Sequence, residues 1–207
     1  VRHLELDDVS FEGINLPGRT ALAFDDLRAA WTDDGLAARG YAEVPRIRFQ
    51  IGRAPAVEVA ARARYELAAE ALDLATFQLT GDGLSLAGHG RVVAGRATAA
   101  VSGQLDVGRL DSFIRGGGLL GGRADFDLAL DSAAEVPLTA HIRAPWLEVE
   151  SYRFDDAEGD LELGRDRSLR GNLSRATFLG GSLSGSYRLD GLGGAYAHHV
   201  EVAGSAL

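Results

Sequence analysis

The sequence predicts an all-β protein with many strands, and three observations support this fold class. Apolar and polar residues alternate with a period of two along most of the 207 residues, as in strands with one apolar and one polar face. Glycine is abundant, with 27 residues that fall mainly where the alternating segments break. The stretch 75–107 shows both features together, because three short strands are separated there by the turns Asp82-Gly83 and Ala94-Gly95.

The two turns of this stretch differ in the strength of their signal. Asp82-Gly83 is a strong two-residue hairpin signal, since such a turn needs positive φ at both central residues. Ala94-Gly95 is a weaker signal of the same kind. Both turns predict antiparallel neighbours in a continuous sheet.

The first part of the chain predicts further strands that are interrupted at defined points. The segment 33–35 predicts a turn, and Pro45 is expected to end the strand before it. The parity of the apolar residues changes near 25–26 and 75–76, which predicts β-bulges. The stretch 56–75 has the composition of a helix, being rich in Ala, Glu and Arg, but its period-two pattern favours a strand.

One short helix is predicted near 109–115, because Leu110, Phe113 and Ile114 follow the i, i+3, i+4 spacing of a helical face. The glycine-rich stretch 116–122 is expected to form a flexible loop after it. Beyond this loop the alternation of strands resumes and continues to the end of the chain, with one strand expected to stop at Pro145.

We expect residues 1–207 to form a single β-rich segment of a larger, repeat-built protein. Similar short patterns recur about a hundred residues apart, at 75–88 and 176–185, although they have no fixed short period. The alternation of apolar and polar residues is present at both ends of the sequence, which is typical of a piece cut from a longer array. No stretch has the roughly 18 apolar residues of a membrane span, so any membrane anchor or export signal is expected outside this segment.

Composition argues against several classes of function. The net charge of −9 argues against nucleic acid as a partner and against attraction to anionic lipid headgroups. There is no cysteine, which excludes disulfides and thiolate sites. The neighbouring His198 and His199 point to opposite faces of a strand, and the acidic pairs have the positions of turn residues. We therefore predict no catalytic residue, no metal and no cofactor, and a protein that is not an enzyme.

The apolar face of the predicted sheet is the candidate site. Aromatic residues make up only 7% of the chain, so this face is smooth and is built mostly from Ala, Val, Leu and Gly. An open groove of this kind suits acyl chains, whose burial is worth about 0.8 kcal/mol per CH₂ group. Parity assigns the following residues to its lining: Leu84, Leu86, Val92, Val101, Leu105, Phe126, Leu128, Leu130, Leu138, Ile142, Leu161, Leu163, Leu183 and Tyr187.

Three stretches, 79–90, 157–161 and 173–185, resemble the degenerate strand repeats of the TamB/AsmA-like proteins of the bacterial envelope. The resemblance implies a long, mostly antiparallel, curved sheet that forms an open, taco-like groove. It also implies a periplasmic bridge, anchored in the inner membrane outside this segment, that carries phospholipid toward the outer membrane and supports outer-membrane biogenesis. Outer-membrane assembly proteins are the protein partners that it implies.

Two other hypotheses remain open at this point. A closed structural or adhesive β module, either a solenoid or a sandwich, would cover the apolar face with protein and carry no lipid. A β-rich hydrolase would need a convergent polar site, and no such motif is visible. If the groove is open, its cut ends expose apolar surface, and we expect the segment to self-associate.

Overall fold

The computed structural model describes residues 2–16, 20–51, 56–115, 118–190 and 197–205. They form one antiparallel sheet in which each strand pairs with its neighbours in sequence. The strands are β1 (Arg2–Leu16), β2 (Thr20–Asp33), β3 (Ala37–Ile51), β4 (Val57–Ala68), β5 (Ala71–Gly81), β6 (Leu84–Val93), β7 (Arg96–Asp106), β8 (Leu120–Asp131), β9 (Leu138–Val149), β10 (Tyr152–Leu163), β11 (Leu169–Phe178), β12 (Gly181–Asp190) and β13 (Ala197–Ser205). One helix, α1 (Val107–Arg115), separates β7 from β8.

The sheet is open, because β1 and β13 lie at its two ends and do not pair with each other within the described residues. Thirteen strands at a spacing of about 4.8 Å give the sheet a length of roughly 58 Å across the strands. The predicted all-β, antiparallel, curved sheet with one short helix is confirmed. The period-two pattern of residues 57–68 also forms a strand, β4, as predicted.

Bulges bend the long strands at the points where parity changes. Asp8 in β1 and Asp26 in β2 have φ values of 54° and 58°, and the pairing of β1 with β2 shifts register nearby. In β5 the register shifts between Leu74 and Phe77, as the sequence predicts. A bulge turns the strand while keeping the apolar residues beyond it on the same face.

Both prolines expected to end strands lie inside them. Pro45 is within β3 and Pro145 is within β9. The register of β3 against β4 shifts between Val44 and Ile47, and that of β8 against β9 shifts opposite Pro145. A residue without an N–H is tolerated at such irregular positions because a regular ladder hydrogen bond is not required there.

The two hairpin turns differ in backbone conformation, and the turn with the weaker sequence signal has the geometry expected for the stronger one. At Asp82-Gly83, where both residues are described, Gly83 has a φ of 76° and Asp82 does not have a positive φ. At Ala94-Gly95 both residues have positive φ, at 47° and 80°. The weaker signal therefore forms the turn with two left-handed residues, and the prediction for Asp82 was wrong although the hairpin itself is present.

The helix ends where it was predicted to end and begins two residues earlier, at Val107. Residues 116 and 117, in the expected loop, lie outside the described residues. The rest of that loop is shorter than predicted, since β8 already begins at Leu120. Gly122 needs to be glycine within this strand, because its φ is 120° and a Cβ there would lie 2.5 Å from the Trp146 carbonyl oxygen.

The buried apolar side chains of the described residues are all alanines, and four of the five lie together in the second half of the sheet. Ala124, Ala144, Ala157 and Ala176 form a buried cluster on four consecutive strands, β8 to β11. Larger apolar side chains pack against this cluster and are themselves partly exposed, namely Val107, Ile142, Leu147, Phe154, Leu173 and Leu183. The molecule therefore has a thin core beneath an open apolar surface. Among the residues that the structure describes, no helix combines the length and the apolar content needed to cross a bilayer.

Candidate functional site

One face of the sheet is apolar from its first strand to its last. A row of directly paired residues crosses all thirteen strands, and the Tyr187 hydroxyl is the one polar side-chain group in it. This central row consists of Leu6, Ala29, Ala42, Ala63, Phe77, Gly88, Val101, Leu128, Ala140, Leu161, Gly171, Tyr187 and Val200. We call the face that carries this row the apolar face.

Parallel rows widen the apolar face on both sides of the central row. On one side, paired residues run from Leu4 in β1 to Leu189 in β12, and on the other from Val44 in β3 to Val202 in β13. Alternate residues on a strand lie about 6.7 Å apart, so three rows span roughly 13 Å. No charged side chain interrupts them in the part of the chain that is described.

All fourteen residues predicted to line a groove lie on the apolar face. The pairs Leu84 with Leu105, and Phe126 with Ile142, show how residues of neighbouring strands meet there. Thirteen of the fourteen are partly buried by their neighbours, and Val92 is exposed. The sheet therefore brings together side chains from β6 to β12 that are up to about a hundred positions apart in sequence.

The opposite face is polar and is held by ion pairs between strands. Arg39 in β3 binds Glu66 in β4 with an N–O distance of 2.8 Å, and this bond lowers the pKa of the Glu66 carboxyl. His141 in β9 lies between two carboxylates of β10, with its Nδ1 2.8 Å from Asp160 and its Nε2 3.2 Å from Glu158. The hydrogen bond with Asp160 raises the pKa of His141.

Two of the cavities formed by the described residues lie on the apolar face, and they define two stretches of it. The first stretch comprises β2 to β7, and its cavity of about 470 Å³ is lined by Leu22, Ile47, Phe49, Ala56, Val57, Val59, Leu79, Leu84 and Leu105, together with Asp82, Arg109 and Ser112. The second stretch comprises β9 to β13, and its cavity of about 370 Å³ is bordered by apolar side chains such as Ile142, Leu161 and Leu173. Since each cavity touches strands that are not adjacent, the sheet curves around both.

Helix α1 forms the rim of the first cavity. Asp106 precedes the helix, accepts a hydrogen bond from the Arg109 N–H at 3.0 Å, and donates its own N–H to the Gly83 carbonyl at 2.7 Å. On the other side, buried Asp111 accepts from the N–H groups of Leu119 and Leu120. These bonds attach the helix to the β5–β6 hairpin and to the start of β8.

No pattern in the sequence predicted that two charged side chains lie at this cavity. The Arg109 guanidinium lies 3.1 Å from an Asp82 carboxylate oxygen. Their meeting depends on where α1 lies against the hairpin, which strand parity does not determine. Leu22, Ile47, Phe49, Val57 and Val59 were also missing from the predicted lining, although their alternation was visible in the sequence.

No family model, no curated protein and no solved structure matches this chain. Within the described residues, no group of His, Cys, Asp or Glu side chains is arranged to hold a metal ion. A curved, solvent-open surface whose rows carry no charged side chain can bury flexible apolar chains, and these rows offer little for directional recognition of polar ligands.

Proposed function

We propose that this chain is a segment of a periplasmic, bridge-like protein whose apolar groove carries phospholipid acyl chains between the inner and outer membranes. The observation that carries the proposal is the continuity of the apolar face. The central row crosses all thirteen strands without a charged side chain, so an acyl chain can pass from one strand to the next without meeting a polar barrier.

The chemistry of the face suits a ligand that is recognised by its apolar surface alone. Glycine and alanine occupy many positions of the rows, including Gly88, Gly171 and Ala140, and they leave room between the larger residues. Burial of each CH₂ group contributes about 0.8 kcal/mol wherever the chain lies on the face. The acyl chain as a whole is then bound strongly, but with similar free energy at every position along the groove. This favours sliding of the chain along the groove over binding at one fixed place.

Movement of lipid between two membranes also needs a surface that continues beyond one domain. The backbone edges of β1 and β13 are unpaired in the described sheet, and Val200 and Val202 on β13 are 60% and 67% exposed. An edge of this kind can accept another strand of the same type. The resemblance to TamB/AsmA-like repeats supports the remaining parts of the proposal, which are the periplasmic location, an inner-membrane anchor elsewhere in the protein, and outer-membrane assembly proteins as partners.

The closed structural or adhesive module requires a second layer over the apolar face. In the described part of the chain, α1 alone lies outside the sheet, and it reaches one rim of the first cavity. The open face therefore favours the lipid groove over the closed module.

The proposal is tested by mass spectrometry of lipid extracted from the chain after expression in bacteria and purification without added lipid. We expect phospholipid to co-purify with the protein. Leu86→Asp or Phe126→Asp places a charge on the apolar face, and we expect either variant to retain several-fold less lipid because the charge must stay hydrated.

The matched control is Ser85→Asp, which adds the same charge to the same strand on the polar face. Ser85 pairs with Thr80 and Gln104, so no carboxylate lies directly opposite the new one. This variant is expected to keep the lipid content of the unmodified chain. A folded chain without lipid, or an equal loss in Leu86→Asp and Ser85→Asp, contradicts the proposal.

A further inference from the structure

The first cavity is apolar except at its mouth. Nine of its twelve lining residues are apolar, and the two charged ones, Asp82 and Arg109, carry opposite charges. The third polar lining residue, Ser112, donates its hydroxyl to the Gly108 carbonyl of the same helix at 2.8 Å. The mouth therefore presents one cationic and one anionic group beside a space that suits an apolar chain.

The fold holds this ion pair in place at the mouth. Gly83 lies under the Arg109 side chain, and a Cβ at that position would come within 2.9 Å of Arg109 Cγ. The absence of a side chain there lets Arg109 cross the hairpin and reach Asp82. Both side chains remain more than half exposed, at 61% and 57%, so each can interact with a further partner from solvent.

We propose that Asp82 and Arg109 bind the headgroup of a zwitterionic phospholipid, of the phosphoethanolamine type, while one acyl chain lies in the first cavity. The inference rests on the proposed function and adds the headgroup class. The planar guanidinium of Arg109 matches a phosphodiester, and the Asp82 carboxylate accepts hydrogen bonds from the ammonium. The phosphodiester of a purely anionic headgroup can also contact Arg109, but such a headgroup has no ammonium to pair with the Asp82 carboxylate, and it meets the net charge of −9.

The test offers the purified chain vesicles of equal parts phosphatidylethanolamine and phosphatidylglycerol with the same acyl chains. The protein is then reisolated, and both bound lipids are quantified by mass spectrometry. We expect the ratio of bound ethanolamine to glycerol lipid to fall about threefold in Asp82→Asn, the scale of one exposed charge contact, with the total lipid unchanged. Asp82→Asn removes the anionic partner and keeps the Arg109 cation.

Two further variants separate a headgroup site from a general effect of charge. Glu66→Gln removes a carboxylate that is also paired with an arginine but lies on the polar face, and we expect it to keep the original ratio. The charge exchange Asp82→Arg with Arg109→Asp restores both charges at the mouth, and it is expected to recover most of the preference.

The outcomes distinguish this inference from the proposed function. If lipid is bound with the same headgroup ratio in the unmodified chain and in Asp82→Asn, the headgroup site is contradicted but the lipid groove is not. An equal change in Glu66→Gln also overturns the headgroup site. Absence of lipid from the unmodified chain overturns the proposed function itself. Soluble phosphoethanolamine has no acyl chain and is expected not to compete at equal concentration; effective competition would contradict a lipid site.

Discussion

The two stretches of the apolar face are lined by similar residues but packed to different depths. In the second stretch, small side chains such as Ala144 and Ala176 are only 3% and 2% exposed, and larger residues pack over them. In the first stretch, one residue of the strands, Ala29, is buried among the side chains that are described, and the cavity is larger and bears an ion pair at its mouth. The second stretch thus supplies the packed part of the sheet, and the first supplies the more open surface.

This difference shows how a one-layer sheet can be stable while one face stays open. Close packing of larger apolar residues over the four alanines gives β8 to β11 a small buried core without a second layer. Both stretches also have backbone ladders and polar-face ion pairs, such as Arg39 with Glu66 in the first and His141 with Asp160 in the second. The buried cluster and the more open part of the apolar face therefore lie largely on different strands.

The largest predicted effect is on the free energy of unfolding, when the same Ala→Asp substitution is made in each of the two stretches. Ala176→Asp places a carboxylate in the buried cluster, where we expect a loss of about 3 kcal/mol or more in the free energy of unfolding. Ala99→Asp places the same carboxylate on the apolar face of β7, where Ala99 is only partly buried. We expect it to cost about 1 kcal/mol, because the new charge remains in contact with water. Denaturant unfolding measures both.

Ala100→Asp is the control for this comparison, since Ala100 follows Ala99 on the same strand and faces the polar side. Its cost is expected to be similar to that of Ala99→Asp. If Ala99→Asp is as damaging as Ala176→Asp, the first stretch is covered by protein and the difference between the stretches disappears.

A smaller predicted effect concerns His141, which lies on the polar face of the second stretch. The hydrogen bond with Asp160 raises the pKa of His141 above the ordinary value of 6.5, so the folded state favours the protonated imidazole. Its stabilisation is complete below that unfolded value and is lost as the pH rises through the raised folded pKa. We therefore expect the difference in unfolding midpoint between the unmodified chain and His141→Gln to be larger at about pH 6 than at about pH 8.

His89→Gln is the matched variant for this measurement, because His89 lies on the polar face of β6, outside the carboxylate pair of His141. The difference in pH dependence between His141→Gln and His89→Gln measures the effect of the carboxylate pair. An unchanged pH dependence in His141→Gln would mean that the contacts with Asp160 and Glu158 do not contribute to folding.

Strand parity made most of the sheet predictable from sequence. Because side chains alternate on a strand, residues such as Leu128 and Leu130 had to share a face, and the fourteen predicted residues all do. The parity changes at 25–26 and 75–76 also predicted real irregularities, since a bulge is the way a strand keeps its apolar residues on one side. Local pattern was sufficient for these features because each depends on near neighbours in sequence.

The features that sequence missed depend on contacts between distant residues. Pro45 and Pro145 were expected to end strands, but the register shifts of neighbouring strands accommodate both of them. The ion pair of Asp82 and Arg109 requires α1 to lie across a hairpin, and Gly83 was visible only as a turn residue.

The most direct test of an open acyl-chain groove places a photoactivatable benzoylphenylalanine at Leu128 or at Ala129 in bacteria that express the chain. These neighbours on β8 face opposite sides of the sheet: Leu128 lies in the central row, and Ala129 lies on the polar face. We predict phospholipid crosslinks from position 128 and none above background from position 129. Equal crosslinking at both positions, or crosslinks from position 128 to protein alone, would contradict the groove.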